Sequence, residues 1–284
     1  MTNAYTKGIF GTIITAFILF LFLPLVINIV IAFNDSNIPS LPFKGFTLDW
    51  FYNAAGIREG LFNDERMIQA IGMSCKVAFT VSFLTVVFGT TAAFLFVREK
   101  FLGRDLLYFL VIAPLVIPGV ILGISLLTGS HDLIELLRNV FGKDVTEPIT
   151  SFLRPGFWLV VIGQFTWIAA VSTLIISAGL KKIPKELEEA AMDLGASRLK
   201  AIFSVTIKNM TPSIISAFIL SFLLSFENFP TTLMLIGPEP TLPIYIYSKL
   251  RFAVTPELNA LSLLLIMGTA ILGILGISLR ARNS

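Results

Sequence analysis

Six long apolar stretches alternate with shorter polar ones along the chain: residues 8–33, 67–97, 106–127, 157–180, 213–236 and 256–279. Each is at least as long as the roughly 20 residues a helix needs to cross the hydrocarbon core of a bilayer. The pattern predicts an all-α integral membrane protein, one domain over 1–284, with six transmembrane helices. The first stretch is too long for the core of a cleaved leader and no small-x-small site precedes Asn34, so it is expected to persist as a span. Pro24 should kink it, and Pro114, Pro118 and Gly119 should interrupt the third. Gln69 and Lys76 lie near the start of the second span, where Lys76 can snorkel to the interface. Phe43, Phe46, Trp50, Phe51 and Tyr52 suit an aromatic loop at headgroup level. Between the third and fourth spans, Leu133, Leu136, Leu137, Val140 and Phe141 recur at helical spacing and predict a lid packed on the bundle.

Composition agrees with this reading. Of the 284 residues 55% are hydrophobic and 14% charged, where soluble domains carry roughly a quarter charged residues. Membrane lipid is therefore one partner, and a net charge of +3 is too small to suggest nucleic acid. One cysteine, Cys75, and one histidine, His131, leave no disulfide framework, no zinc set and no candidate metal ligands. A Ser-His-Asp arrangement would have to use His131 with its neighbour Asp132, and a polar loop explains them as well. No catalytic residues are assigned and the chain is read as a non-enzyme. It also lacks a Walker-type phosphate loop, so any ATP it depends on must be bound by another chain. Six spans place both termini and the 181–211 segment on one side. That side carries twelve Lys and Arg residues, Arg282 among them, against eight on the other, so both termini are expected in the cytoplasm.

The 181–211 segment is the one long charged stretch. Glu186, Glu188 and Glu189 fill the first turn of a helix, where the macrodipole favours acids. Leu187, Ala190, Ala191 and Leu194 share one narrow face, Gly195 suits a helix stop, and Ser197 can cap a second helix over 198–207. So short an amphipathic helix is not stable alone in water and should pack on a partner or on the bundle.

Glu189-Ala190-Ala191, three further residues and then Gly195 resemble the EAA loop of ABC importer permeases. The likeness extends over LEEAAMDLGAS, LSFENFPTTLMLIGPEPTLPIYIYSKL and TPELNALSLLL, which are similar to the spermidine/putrescine group of that family. It implies that Glu189, Ala190, Ala191, Asp193, Leu194, Gly195, Ala196 and Ser197 form a cytoplasmic coupling loop between spans four and five. It further implies an ATPase subunit dimer carrying ATP and magnesium, a second and related permease, and an extracytoplasmic substrate-binding protein, all at a bacterial inner membrane. The family pattern continues to I-x-L-P, whereas this chain has Ile207 and then Lys208, with Pro212 placed to start the fifth span instead.

Glu227 falls well inside the fifth apolar stretch, where an acid costs about 2.5–3.5 kcal/mol and should face the bundle interior or water. It can be a structural partner of Lys76. It can also line a cation pathway with Asn228, joined by Gln164, Thr166 and Trp167 on the fourth span and Asn259 on the sixth. The expected cargo is a polyamine. Another small solute (amino-acid-like, thiamine-like or iron) is the alternative within the family, and an ion-coupled secondary transporter using Glu227 is the alternative outside it.

Overall fold

The computed structural model describes residues 4–53, 56, 58, 60–252 and 255–281. Arg282, counted above, lies outside them. The described residues form thirteen α-helices joined by short 3-10 and π segments, with no strand beyond an isolated bridge between Asn34 and Phe46. In chain order the helices are α1 (Ala4–Ala32), α2 (Asp49–Tyr52), α3 (Glu65–Arg98), α4 (Arg104–Ile112), α5 (Gly119–Phe141), α6 (Lys143–Thr150) and α7 (Phe157–Leu180). They continue with α8 (Glu186–Asp193), α9 (Arg198–Ala201), α10 (Lys208–Phe226), α11 (Pro230–Leu235), α12 (Leu242–Leu250) and α13 (Pro256–Ala281).

Five stretches among the described residues are long and apolar enough to cross a membrane: Gly8–Ala32, Glu65–Arg98, Gly119–Phe141, Phe157–Leu180 and Arg198–Phe226. Pro256–Ile271 is apolar but shorter. The third stretch is interrupted at Pro114 and Pro118 as expected, but the membrane-length helix lies beyond the interruption. Residues 106–127 are not one helix, because Pro114 and Pro118 lack the N–H that would continue it. The backbone tightens into a 3-10 turn at Ala113–Val116, and Ile117 before Pro118 is extended, with ψ 125°. The long helix starts only after that break and runs to Phe141. Leu133, Leu136, Val140 and Phe141 are thus outward-facing positions on α5 rather than a packed lid, and Ile134 is the buried one.

The chain divides into two compact units, Met1–Ile68 with Ile246–Ile271, and Gln69–Tyr245 with Leu272–Ser284. In the second unit α7 is the hub, the most buried of the long apolar helices. Its Leu159, Val160, Val161 and Ile168 meet Met73, Val77 and Val81 of α3 and Leu235 of α11. Its Ile176 and Leu180 meet Ala93 of α3 and Met210 and Ala217 of α10. Gly179 lets α10 approach closely, since a Cβ there would lie 2.6 Å from that of Ser213. Beyond α5, Glu147 bridges Arg154 and Arg138, and these hydrogen bonds hold its exposed carboxyl below the usual carboxylate range.

In the first unit, Ala32, Trp50, Phe51, Ala260 and Leu263 form the core. Trp50 and Phe51 are therefore buried, not displayed at headgroup level. The Trp50 indole N–H donates to the carbonyl of Asn34 at 2.9 Å, and Arg58 covers its ring at 4.5 Å. Phe43, Phe46 and Tyr52 do remain exposed. Lys249 donates to Asp64 at 2.6 Å and to both oxygens of Glu257 at 3.0 Å, each acid nearly inaccessible. Burial alone would lower the ammonium pKa, but hydrogen bonds to Asp64 and Glu257 carry it well above the usual lysine range.

Candidate functional site: the charged elbow and the broken fifth helix

The elbow is two short helices meeting at Gly195. Helix α8 has Glu186, Glu188 and Glu189 in its first turn and no buried residue. It ends in a Schellman motif: the N–H of Gly195 donates to Met192 at 2.9 Å and that of Ala196 to Ala191 at 3.0 Å, with Gly195 at φ +90°. The spacing of Ala191 and Gly195 in the sequence motif is thus the spacing of this helix stop. Ser197 then caps α9, its Oγ accepting from the Lys200 N–H at 3.4 Å.

The second arm does not stop at Ile207. Ile202–Ile207 is a π segment leading straight into α10, so Pro212 sits inside the helix rather than at its start. Lys208 keeps the backbone N–H that a proline would lack and donates it to Val205. The apolar face anticipated on α8 is open: Leu194 is 90% exposed, and on the second arm Leu199 and Phe203 are 69% and 68% exposed. Glu189 and Asp193 are exposed too, and neither forms an ion pair among the described residues.

Glu188, one residue before the motif, behaves differently. Its carboxylate pairs with Arg98 at 3.1 Å and accepts from Thr206 Oγ1 at 2.8 Å. Arg98 also donates to the carbonyl of Ile183 at 3.0 Å, Lys185 Nζ donates to the carbonyl of Arg98 at 3.2 Å, and Arg198 pairs with Glu99. Sequence reasoning missed this knot. Its members lie far apart in the chain, and no local spacing marks them.

At the other end of α10 the expected fifth span is broken. The helix ends at Phe226, Glu227 is its C-cap, and the chain turns before restarting at Pro230. Glu227 is therefore at a helix end rather than mid-helix. Its side chain is exposed and, among the described residues, has no ion pair with Lys76 or any other cation. Asn228 turns inward, its Oδ1 accepting from the Thr232 N–H at 3.2 Å and hydroxyl at 2.9 Å. Gln164, fully buried on α7, donates to Thr232 Oγ1 at 2.8 Å and accepts from Ser225 Oγ. Gln164, Asn228, Ser225 and Thr232 thus brace the break, each amide or hydroxyl matched to a partner.

Of the other residues singled out, Thr166 donates back to the Gly163 carbonyl at 2.7 Å. Trp167 packs on the core of the second unit, with its buried indole N–H unpartnered among the described residues. Asn259 belongs to the first unit, where it donates to Asn28 of α1. Gln164→Leu is expected to strand Thr232 and Ser225 and cost about 1–3 kcal/mol. A lowered thermal midpoint of the purified protein checks this, and an unchanged midpoint contradicts the bracing role.

Residues 85–283 match the family described as the binding-protein-dependent transport system inner membrane component. The chain belongs to this family. It is the permease subunit of an ABC importer, an inner-membrane component that works with an ATPase, a substrate-binding protein and a second permease. The ion-coupled alternative falls away with that membership. The chain is 32% identical over 265 residues to the putrescine transport system permease protein PotI of Escherichia coli, covering 93% of this chain and 87% of that one. It is 26% identical over 285 residues to the spermidine/putrescine transport system permease protein PotC of Haemophilus influenzae, covering all of both chains. In fold it is similar to a chain of a bacterial ABC transporter that imports the acidic polysaccharide alginate, with TM-score 0.68 and 19% identity over 98% of this permease and 94% of that chain.

Proposed function

We propose that this permease carries a polyamine such as spermidine or putrescine, driven by an ATPase pair that docks on the elbow. The carrying observation for the cargo is the likeness to putrescine and spermidine/putrescine permeases over nearly the whole chain. Glu227 supports it: an exposed carboxylate placed at a helix C-terminus adds to the negative end of the macrodipole, and both attract a cation. Asn228 and Gln164 brace the break beside that position, and Thr166, Trp167 and Asn259 are further candidates along the path.

In this reading six spans place both termini and the elbow in the cytoplasm. The second permease is a related chain, and an external binding protein delivers the cargo. ATP and magnesium sit on the ATPase dimer. Glu189, Ala190, Ala191, Asp193, Leu194, Gly195, Ala196 and Ser197 form the coupling surface, whose exposed Leu194 is left uncovered among the described residues. Closure of the ATPase pair moves the two elbows together and rocks the spans as rigid bodies.

The test is uptake of labelled spermidine and putrescine by proteoliposomes holding both permeases, the ATPase and the binding protein. ATP-dependent uptake is expected, and Glu227→Gln should lower it about tenfold while the ATPase still copurifies. Uptake of an amino acid, thiamine or iron in place of polyamine would overturn the cargo assignment. Normal polyamine uptake by the Glu227→Gln protein would make that residue structural.

A further inference from the structure

Helix α8 buries no residue, so packing alone does not fasten it to the bundle. It is fastened through one carboxylate. Glu188 accepts from Arg98 at 3.1 Å and from Thr206 at 2.8 Å, and the Arg98 and Glu188 side chains are only 9% and 16% exposed. Arg98 is the last residue of α3. It also holds the Ile183 carbonyl before α8, Lys185 reaches back to its own carbonyl, and its neighbour Glu99 takes Arg198 beyond the elbow. Contacts from before, within and after α8 therefore converge on two residues at one end of α3.

The electrostatics favour this arrangement. A cation at the C-terminus of α3 and an anion in the first turn of α8 each complement a macrodipole. Their shared partial burial also reduces screening by salt. Thr206 is fully buried within the π segment, a local widening that places its hydroxyl against Glu188.

We propose that Arg98 and Glu188 are positioning residues that form the joint between the elbow and α3. Through it, displacement of α8 is delivered to α3, so the two move as one body. Thr206 keeps the carboxylate in line. Neither charged residue lies on the open face formed by Leu194, Leu199 and Phe203, so the joint acts behind the coupling surface and not on the ATPase. Without it, the remaining polar links from the elbow to α3 among the described residues are those of Lys185 and Arg198, and movement of α8 can be absorbed at the Gly195 turn. This inference rests on the reading of α8 as the element that docks the ATPase.

The test uses the assembled transporter in proteoliposomes and reads three quantities: copurification of the ATPase, ATP hydrolysis stimulated by loaded binding protein, and uptake. In Glu188→Gln and Arg98→Gln proteins the ATPase should still copurify and hydrolyse ATP. Uptake should fall about tenfold, so more ATP is spent per molecule imported. The exchanged pair, Arg98→Glu with Glu188→Arg, should recover much of the uptake. Thr206→Val, a milder change that preserves shape, should raise the ATP-to-uptake ratio in the same direction and keeps the test open if a charge variant fails to assemble.

An unchanged ratio in the single variants and in Thr206→Val would overturn the joint. So would loss of the ATPase from the single variants without recovery in the exchanged pair, which would make Glu188 a docking or folding residue. Failure of the docking reading would show separately, as an ATPase that stays bound when Glu189 on the open face is reversed.

Discussion

Glu189→Arg is expected to detach the ATPase and lower uptake by about a hundredfold, while the permease still folds and inserts. The side chain is exposed, lies in the first turn of α8 and forms no ion pair among the described residues, so reversing it breaks nothing inside the chain. In the proposed docking its cost falls on the interface with the ATPase, where placing like charges together costs several kcal/mol. A cation in the first turn of a helix adds a smaller local penalty. Copurification of the ATPase with tagged permease is the decisive measurement. Full recovery of the ATPase with normal uptake would remove Glu189 from the coupling surface. The contrast with its neighbour is informative, because Glu188→Gln is expected to retain the ATPase and lose the transmission.

Lys249→Met is expected to be the most destabilising single change, by about 3–5 kcal/mol, because it leaves the nearly inaccessible carboxylates of Asp64 and Glu257 without their shared ammonium. Asp64 has a second task, accepting the Met67 N–H at 3.1 Å at the start of α3, so loss of the lysine should also loosen that helix start. A lowered thermal midpoint and faster proteolysis of the 34–64 segment are the expected readouts. The additional changes Asp64→Asn and Glu257→Gln should recover part of the loss, since they remove the charges left behind. A midpoint within a degree or two of the parent would show that the cluster is not structural.

The pH dependence follows from the direction of the shift. The folded state holds the Lys249 pKa above its unfolded value of about 10.4, so its contribution is complete below that pH and declines only as pH rises beyond it. Between neutrality and mildly alkaline pH, stability should therefore show no slope from this group.

Much of the elbow was legible from local chemistry. Three acids announce the start of α8, and Gly195 four residues after Ala191 specifies its stop. Ser197 begins the next helix. Caps depend on residues within a turn of one another, so a linear reading finds them. The long apolar stretches were legible for a similar reason, since the length of a span is set by the bilayer rather than by neighbouring helices. The interruption of 106–127 was legible too, since it is made by two prolines, but hydropathy alone did not show that the long helix starts after them and runs to Phe141. Hydropathy also ran 213–236 together, passing over Pro230, which has no N–H to give the Phe226 carbonyl and so marks the break locally. What the tertiary structure adds is the bracing of that break, with Gln164 on α7 reaching Ser225 and Thr232 and Asn228 capping the turn they hold.

The sequence by itself determined that this is a helical membrane protein, where its charged elbow lies, how the first arm begins and ends and where the second begins, and to which family it belongs. These features follow from composition and from contacts within a few residues. Only the tertiary structure decided which glutamate faces outward and which is tied inward. Glu188 and Glu189 are neighbours of the same type, and only α3 returning with Arg98 beside one of them separates their roles. It also moved Glu227 from the middle of a span to the open end of α10, because a helix buried within a bundle can be broken wherever side chains from its neighbours satisfy the freed backbone.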